Sequence, residues 1–462
     1  MICSQGRPPS VESASVSFSP ADRIVALRLT PRIRRVRDSR LVRQNLVLFI
    51  GGISAGLASF IYQAVAGRAL GPRDYGAVAS LVALYTMGMA VNLILVVTLA
   101  RFTAGLMARD EPAGVPHILL RSGSYLAIPG LVFVLGIAAL SPLVAAFLHL
   151  ESPVPVIWLG VALVLCWYMA LPRGALQGLQ RFGSLSLNNA FELITRTLAL
   201  GLLLALGLGV NGAVIALLVG AGAAGVLGVW SLRQLLRLAP APVSARPLLR
   251  FALTAMAGTI GVILLFNADV VLAKHYLDAH GAGIYGGLNK IGLIVYFGTL
   301  SVSQVLFPRV VEAVAKQLHP GRLLLLSAGL ILAVALCVVA VAALVPWLIV
   351  AVLFGSAFSD ASGYVLPVTC IGLAIALCNL LVQFFMAVHD RAFIPVLGAG
   401  CALEVGLIAV FHADVGSVVR SVLISVIGLL IALVIRALVL MPRLRPEMVA
   451  PSDDGASPTG PL

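Results

Sequence analysis

Apolar residues in this chain come in long runs, not in strand-like alternation and not in the three-to-four spacing of a half-buried helix. A run of about twenty apolar residues is the length a helix needs to cross a bilayer. In lipid, a helix satisfies all its own backbone groups, which an open strand does not. Such runs fall near residues 46–66, 77–100, 118–140, 153–172, 189–207 and 211–231 in the first half. The second half carries them near 251–273, 286–308, 323–345, 363–388, 393–413 and 416–440. The longest internal connection, between Ser231 and Arg250, reads RQLLRLAPAPVSARP and forms a natural joint. The expected organisation is a basic tail at 1–45, a six-helix lobe at 46–231 and a linker at 232–250. A second six-helix lobe follows at 251–440, then a tail at 441–462. Both tails read as disordered, and Arg32, Arg34, Arg35 and Arg37 suit a surface of anionic lipid.

Composition sharpens this into an all-α polytopic membrane protein of about twelve spans. Of 462 residues, 60% are hydrophobic and only 11% charged, where soluble proteins carry about a quarter. The net charge of +13 would suggest nucleic acid on a soluble domain. Here the basic residues sit in loops between apolar runs, so no nucleic-acid partner is expected. Their distribution sets orientation instead. With the N-terminus inside, cytoplasmic segments hold 23 Lys and Arg, and the opposite side holds three: Arg68, Arg73 and Lys274. Both ends are then cytoplasmic, which an even number of spans permits.

Catalytic and metal chemistry is not signalled. Five of the six cysteines (Cys3, Cys166, Cys337, Cys370, Cys378, Cys401) lie within apolar runs and no C-x-x-C occurs. They read as small buried apolar side chains, not as a disulfide or zinc framework. There is no H-E-x-x-H, P-loop or G-x-S-x-G, so neither a cofactor nor an ATP-driven cycle within this chain is expected.

Offsetting the chain by 210 residues aligns Gly71-Pro-Arg-Asp-Tyr75-Gly76 with Gly281-Ala-Gly-Ile-Tyr285-Gly286. Both fall in the turn between the first two helices of a half, and the same offset brings Arg181 onto Arg391. Two halves of six spans each enter the bilayer in the same direction. Their pseudo-symmetry axis then runs along the membrane normal, the arrangement of two-lobed transporters that rock about a central cavity.

The segments ALGPRDYGAVASL and LPRGALQGLQRF, the latter ahead of NNAFELITR, carry a resemblance. They are similar to the oligosaccharide flippases (Wzx-like) of the polysaccharide-transport proteins. That superfamily also holds the MATE multidrug antiporters and the lipid II flippase. The resemblance spans roughly residues 44–440 and implies two six-helix lobes around a cavity. It also implies export of polyprenyl-pyrophosphate-linked glycans, alongside glycosyltransferases and a glycan polymerase, in the bacterial cytoplasmic membrane. The chain departs from the lipid II flippase type in having twelve spans, not fourteen. In its second half, Ala282 stands where the first has the turn's Pro.

Ionisable groups inside spans are costly, so each calls for a reason. Glu192 and Arg196 lie one helical turn apart on one face, a neutralising pair or part of a cavity wall. Asp269 and Lys290, on successive spans, are a plausible second pair. Glu404 lacks a local partner and is the candidate for proton or cation coupling. Arg121, Arg68 and Arg420 sit near span ends, where snorkelling competes with a cavity role. Together Arg196, Lys290, Arg121, Arg68 and Arg420 offer cations at several depths along which a pyrophosphate could be handed across. Asn92, Gln63, Gln304 and Gln383 are candidates to hydrogen-bond sugar hydroxyls or neighbouring helices. The small-residue clusters Gly51–Gly56 and Gly220–Gly225 suit close helix contact, with Gly52–Gly56 a candidate flexing point. A MATE-like cation antiporter would concentrate carboxylates in the cavity. A membrane glycosyltransferase would use Glu192, Asp269 or Glu404 catalytically, against which the short outer loops argue.

Overall fold

The computed structural model describes residues 31–241, 267–315, 320–388 and 390–444, with side chains described from residue 59 onward except for several between 301 and 319, at 389 and beyond 442. Arg32 to Arg37 as side chains, Cys3, the Gly51–Gly56 cluster, Gln304 and the first part of the seventh predicted span lie outside the described residues. The chain divides into two units, 1–48 and 49–462, and both helical halves belong to the second.

Among the described residues there are helices and no strands. The first, α1 (Pro31–Ala108), begins well before the predicted first span and breaks at Gly71. That residue has φ 71° and ψ 174°, a region open essentially to glycine alone. Pro72 follows, with its φ preset for a helical first turn. The G-P pair of the repeated turn is thus the punctuation between the first two spans. The first half continues with α2 (Gly114–Phe147), α3 (Val154–Gly178), α4 (Phe182–Ala205), α5 (Gly209–Ser231) and the short α6 (Arg233–Leu236).

In the second half come α7 (Ala268–Tyr276), α8 (Ala279–Ala315), α9 (Gly321–Leu344), α10 (Pro346–Leu353), α11 (Val365–Ala387), α12 (Phe393–Val410) and α13 (Val415–Leu440). Eight stretches among the described residues are long and apolar enough to cross a membrane. One of them, Ser59–Ala108, contains the Gly71 break. α4 misses that criterion because charge sits in its middle, yet at 24 residues it is long enough to cross. α10 and the 3-10 stretch Ser356–Tyr364 were not foreseen by the hydropathy pattern.

Within each half one helix is central. α3 packs on α2, α4 and α5, while α11 packs on α8, α9 and α13. Leucines of α2 and α9, among them Leu131, Leu135, Leu325 and Leu330, are exposed, as a lipid-facing surface requires. The second copy of the repeated motif, Gly281 to Gly286, lies in the first turns of α8 and not in a turn as expected, and the halves meet where it faces the Gly71 turn. A methyl on Gly283 would overlap the carbonyl of Pro72, and one on Gly76 would sit 2.9 Å from the Gly283 nitrogen. The Tyr75 ring packs against Phe354 and Phe358, centroids 5.5 and 5.7 Å away. On this side the lobes are closed against each other.

Candidate functional site

Behind that closure lies a cavity of about 450 Å³, walled by both arms of α1, by α3, α4 and α5, and across from them by Asn267 and α8. It collects four charged side chains: Arg173, Glu192, Arg196 and Lys290. The rest of the wall is mixed, with Tyr62, Gln63, Tyr85 and Asn189 beside Met89, Leu293 and Phe297. Three cations and one carboxylate leave the cavity net positive.

The first half supplies an interlocked triad. The Arg173 guanidinium donates to Asn188 Oδ1 at 2.7 Å and to Glu192 Oε2 at 2.8 Å. Asn188 donates in turn to the Ala224 carbonyl at 2.7 Å, tying α4 to α5. Arg196 reaches Glu192 Oε1 only at 4.0 Å. Its guanidinium instead lies over the Tyr62 ring, 4.9 Å from the centroid, a cation–π placement. Tyr62 is fixed by donating to the Ala213 carbonyl at 2.6 Å. Arg196 Nε has no hydrogen-bond partner among the described residues. A buried donor without an acceptor is expensive, and Arg196 is one of the residues that line the cavity. Gly220 makes the arrangement possible: a methyl there would stand 2.8 Å from Arg196 Cβ.

Lys290 enters from the second half. It does not pair with Asp269 directly, which corrects the expected ion pair. Its ammonium donates to Asn289 Oδ1 at 3.0 Å, and Asn289 donates to Asp269 Oδ2 at 2.8 Å. Tyr285 of the repeated motif donates to the same oxygen at 2.7 Å. Asp269 and Glu404 line a second space of about 20 Å³ within the second lobe, between α7, α8, α11, α12 and α13. That volume admits about one water-sized species. Asp269 Oδ1 and Glu404 Oε2 are buried and have no hydrogen-bond partner among the described residues.

The other predicted cations stand elsewhere. Arg121 is exposed and stacks on Tyr125 one turn along α2. Arg68 donates to the Ala351 and Val352 carbonyls at the end of α10, bridging the lobes on their closed side. Arg420 is exposed beside Asp414 at 4.0 Å. None of the three lines the cavity. Hydrogen bonds from Ser417 hold the Asp414 carboxyl below its ordinary value. Gln63 lines the cavity and accepts from Tyr75 at 3.3 Å. Asn92 donates to the Cys166 carbonyl, a helix-to-helix bond, and Gln383 lies on α11 away from the cavity.

Arg173 was missed as a site residue. Pro172 reads as the end of the fourth span, and its neighbour then counts as a loop cation. The helix instead runs on through Pro172 to Gly178, and Arg173 is only 7% exposed. Its signal was the segment LPRGALQG itself: glycines and alanine flank an arginine that a loop would not need to pack so tightly.

A family model described as "Polysaccharide biosynthesis protein" matches residues 41–314. No curated protein sequence matches the chain. Solved structures resemble it closely in shape. A multidrug resistance MATE family transporter of the MOP superfamily in an inward-facing conformation aligns with a TM-score of 0.73 at 13% identity, over 86% of this chain and 96% of its own. A multidrug resistance MATE family transporter in an outward-facing conformation aligns with 0.63 at 13% identity, over 87% and 96%. The lipid II flippase MurJ, inward closed, aligns with 0.64 at 11% identity, over 87% and 90%. At such identities the likeness establishes the fold: an all-α, multi-span membrane protein with the two-lobed MATE-like architecture.

Proposed function

Because the chain belongs to the polysaccharide biosynthesis protein family, we propose that it flips or exports a polyprenyl-pyrophosphate-linked oligosaccharide across the bacterial cytoplasmic membrane. The observation that carries this reading is the convergence of Arg173, Arg196 and Lys290, from three helices of both lobes, on one cavity. A pyrophosphate and a glycan do not cross hydrocarbon unaided. Guanidinium and ammonium groups meet phosphate oxygens with charge-assisted hydrogen bonds, and Arg173, Arg196 and Lys290 line the cavity. A cavity of about 450 Å³ accommodates the pyrophosphate and roughly one or two sugars, within the usual range of ligand sites. The remaining glycan extends toward the open side, and the lipid tail stays in the bilayer between the lobes.

The lobes run from about 46 to 231 and from about 251 to 440, joined by the 232–250 linker. The Lys and Arg bias places both termini in the cytoplasm. The closed side, with Gly71 and Gly281, then faces outward and the cavity opens inward, ready to receive substrate made in the cytoplasm. Glycosyltransferases that supply the glycan and a polymerase that consumes it are the fitting partners. Asp269 and Glu404 are the fitting coupling groups, holding a proton or a small monovalent cation. The bonded path through Asn289 lets Lys290 sense that occupancy.

A MATE-like antiporter is the second reading, supported by the same Asp269–Glu404 pair. The main cavity speaks against it: its one carboxylate, Glu192, is engaged by arginine. Deletion of the gene in its host decides between them. The flippase reading expects inward-facing glycolipid to accumulate, with rescue by the parent and not by Arg196→Glu. Unchanged glycolipid with altered resistance to cationic drugs would replace it with the antiporter.

A further inference from the structure

On the closed side, five rings form a ladder from one lobe to the other. Phe147 ends α2, and the His275 ring at the end of α7 stacks on it at 4.0 Å and 7°. His149 lies 5.6 Å from His275, Tyr276 packs edge-on to His275 at 4.7 Å, and His412 stacks on Tyr276 at 4.2 Å. Two of the imidazoles sit on helix ends. His275 Nδ1 faces the Phe147 carbonyl at 2.7 Å, across the lobe boundary. His412 Nδ1 faces the Ile408 carbonyl at 3.2 Å, on its own α12.

Helix C-termini present unpaired carbonyls and the negative end of the macrodipole. A carbonyl accepts, so His275 Nδ1 carries a proton in this arrangement whatever the ring's charge. Adding the second proton, at Nε2, makes the same hydrogen bond charge-assisted and places a cation at the end of α2 and over the Phe147 ring. These gains exist only while the lobes touch. Histidine is the side chain whose charge ordinarily changes between about pH 5 and 8.

The geometry points to an acid-tightened latch: protonation of His275 strengthens closure of the two lobes on the side of Gly71 and Gly281. The charged neighbours do not supply an alternative. On its own segment stand Lys274 and Asp278, with Asp74 acting on Lys274 from the 71 turn. Glu151 follows His149 on the α2 side, and Asp414 with Arg420 follows His412. Among the described residues none of these forms an ion pair with His149, His275 or His412. His149 is the brake: a second imidazolium 5.6 Å away repels the first. The latch therefore carries one charge across the stack. If the closed side faces outward, as the Lys and Arg bias has it, external acid favours the inward-facing state; the latch itself is independent of that assignment.

The test uses full-length protein in detergent, where both faces see the same pH. Nitroxides on p-acetylphenylalanine at positions 152 and 413 leave the six native cysteines in place. The ratio of short to long inter-label distances is expected to rise roughly two- to fivefold from pH 8 to pH 5.5, the range of one cation at a helix end. His275→Phe keeps the stack and loses the step; His149→Ala keeps the step. A ratio that is flat or falls with acid in the parent overturns the latch, as does an undiminished step in His275→Phe. Should His275→Phe not fold, His275→Gln takes its place, and the parent curve still decides. No substrate enters this measurement, so a failure of the flippase reading is seen separately.

Discussion

Arg173 on α3 holds Glu192 on α4 at 2.8 Å, while Arg196, four residues from Glu192 on the same helix, stands off at 4.0 Å. The carboxylate is neutralised by the neighbour from another helix, and Arg196 is left with binding capacity toward the cavity. Removing one partner of a buried pair strands the other. Arg173→Gln is therefore expected to lower glycan export about tenfold or more, about 1.4 kcal/mol in the free energy of transport. Glu192→Gln costs less, since the glutamine oxygen still accepts from Arg173 and the cavity keeps its cations. The double variant recovers part of the loss, with a coupling of about 0.5–3 kcal/mol between the two sites. Export by a complemented deletion strain measures all three. Independent, additive losses would remove the pair from the site.

Gly283 has no room for a side chain because the Pro72 carbonyl of the other lobe occupies it. Gly283→Val should prevent closure on this side without touching the packing inside either lobe. The expected result is a long inter-label distance across the closed side at every pH, with a folded, monodisperse protein. Gly298→Ala, where a methyl meets nothing, is the control and should behave as the parent.

The helices were legible because lipid imposes a single rule, an apolar run of span length, and the runs state it directly. The first copy of the repeated motif was legible for a related reason: the Gly71 conformation is open essentially to glycine, and Tyr75 is fully buried against Phe354 and Phe358 of the opposite half; the second copy, Gly281 to Gly286, falls inside α8. The charged site was legible in part. Glu192, Arg196, Lys290, Asp269 and Glu404 announce themselves by standing inside apolar runs. Their partners do not, since partnership depends on helix rotation and lateral packing, which hydropathy does not encode. So the i,i+4 rule named Arg196 for Glu192, which holds at 4.0 Å, but not the closer Arg173 that α3 brings to 2.8 Å, and neighbouring spans named Asp269 for Lys290 where Asn289 stands between. α10 was hidden by its length: eight residues after a proline look like the tail of α9. Only the fold shows that its end receives Arg68 from the other lobe.

Arg121 and Arg420 are exposed helix-end residues outside the cavity. Surface substitutions of this kind are usually worth within about 0.5 kcal/mol. Arg121→Gln and Arg420→Gln are expected to leave export within about twofold of the parent, by the same complementation assay. Arg68→Gln is different. Its guanidinium serves carbonyls at the end of α10, so it should loosen the closed side and lengthen the inter-label distance. A tenfold export defect in Arg121→Gln would restore that residue to the substrate path.

Asp390, in the connection between α11 and α12, accepts two hydrogen bonds from Arg436 of α13, at 2.8 and 2.9 Å. The Arg436 bonds hold its carboxyl below the ordinary aspartate value, against a smaller opposing effect of burial. A carboxyl lowered in the folded state adds stability above its unfolded value, near pH 4, and that contribution is lost as the pH falls through the folded one. The three helices α11, α12 and α13 should therefore hold together less well below about pH 4, and this part of the acid sensitivity should vanish in Asp390→Asn. Melting temperature in detergent, followed from pH 7 to pH 3, gives the comparison. The parent and Asp390→Asn curves should converge at the acid end and separate above about pH 4, the parent being the more stable. Curves that run parallel across the whole range would mean that the bidentate contact does not contribute to stability.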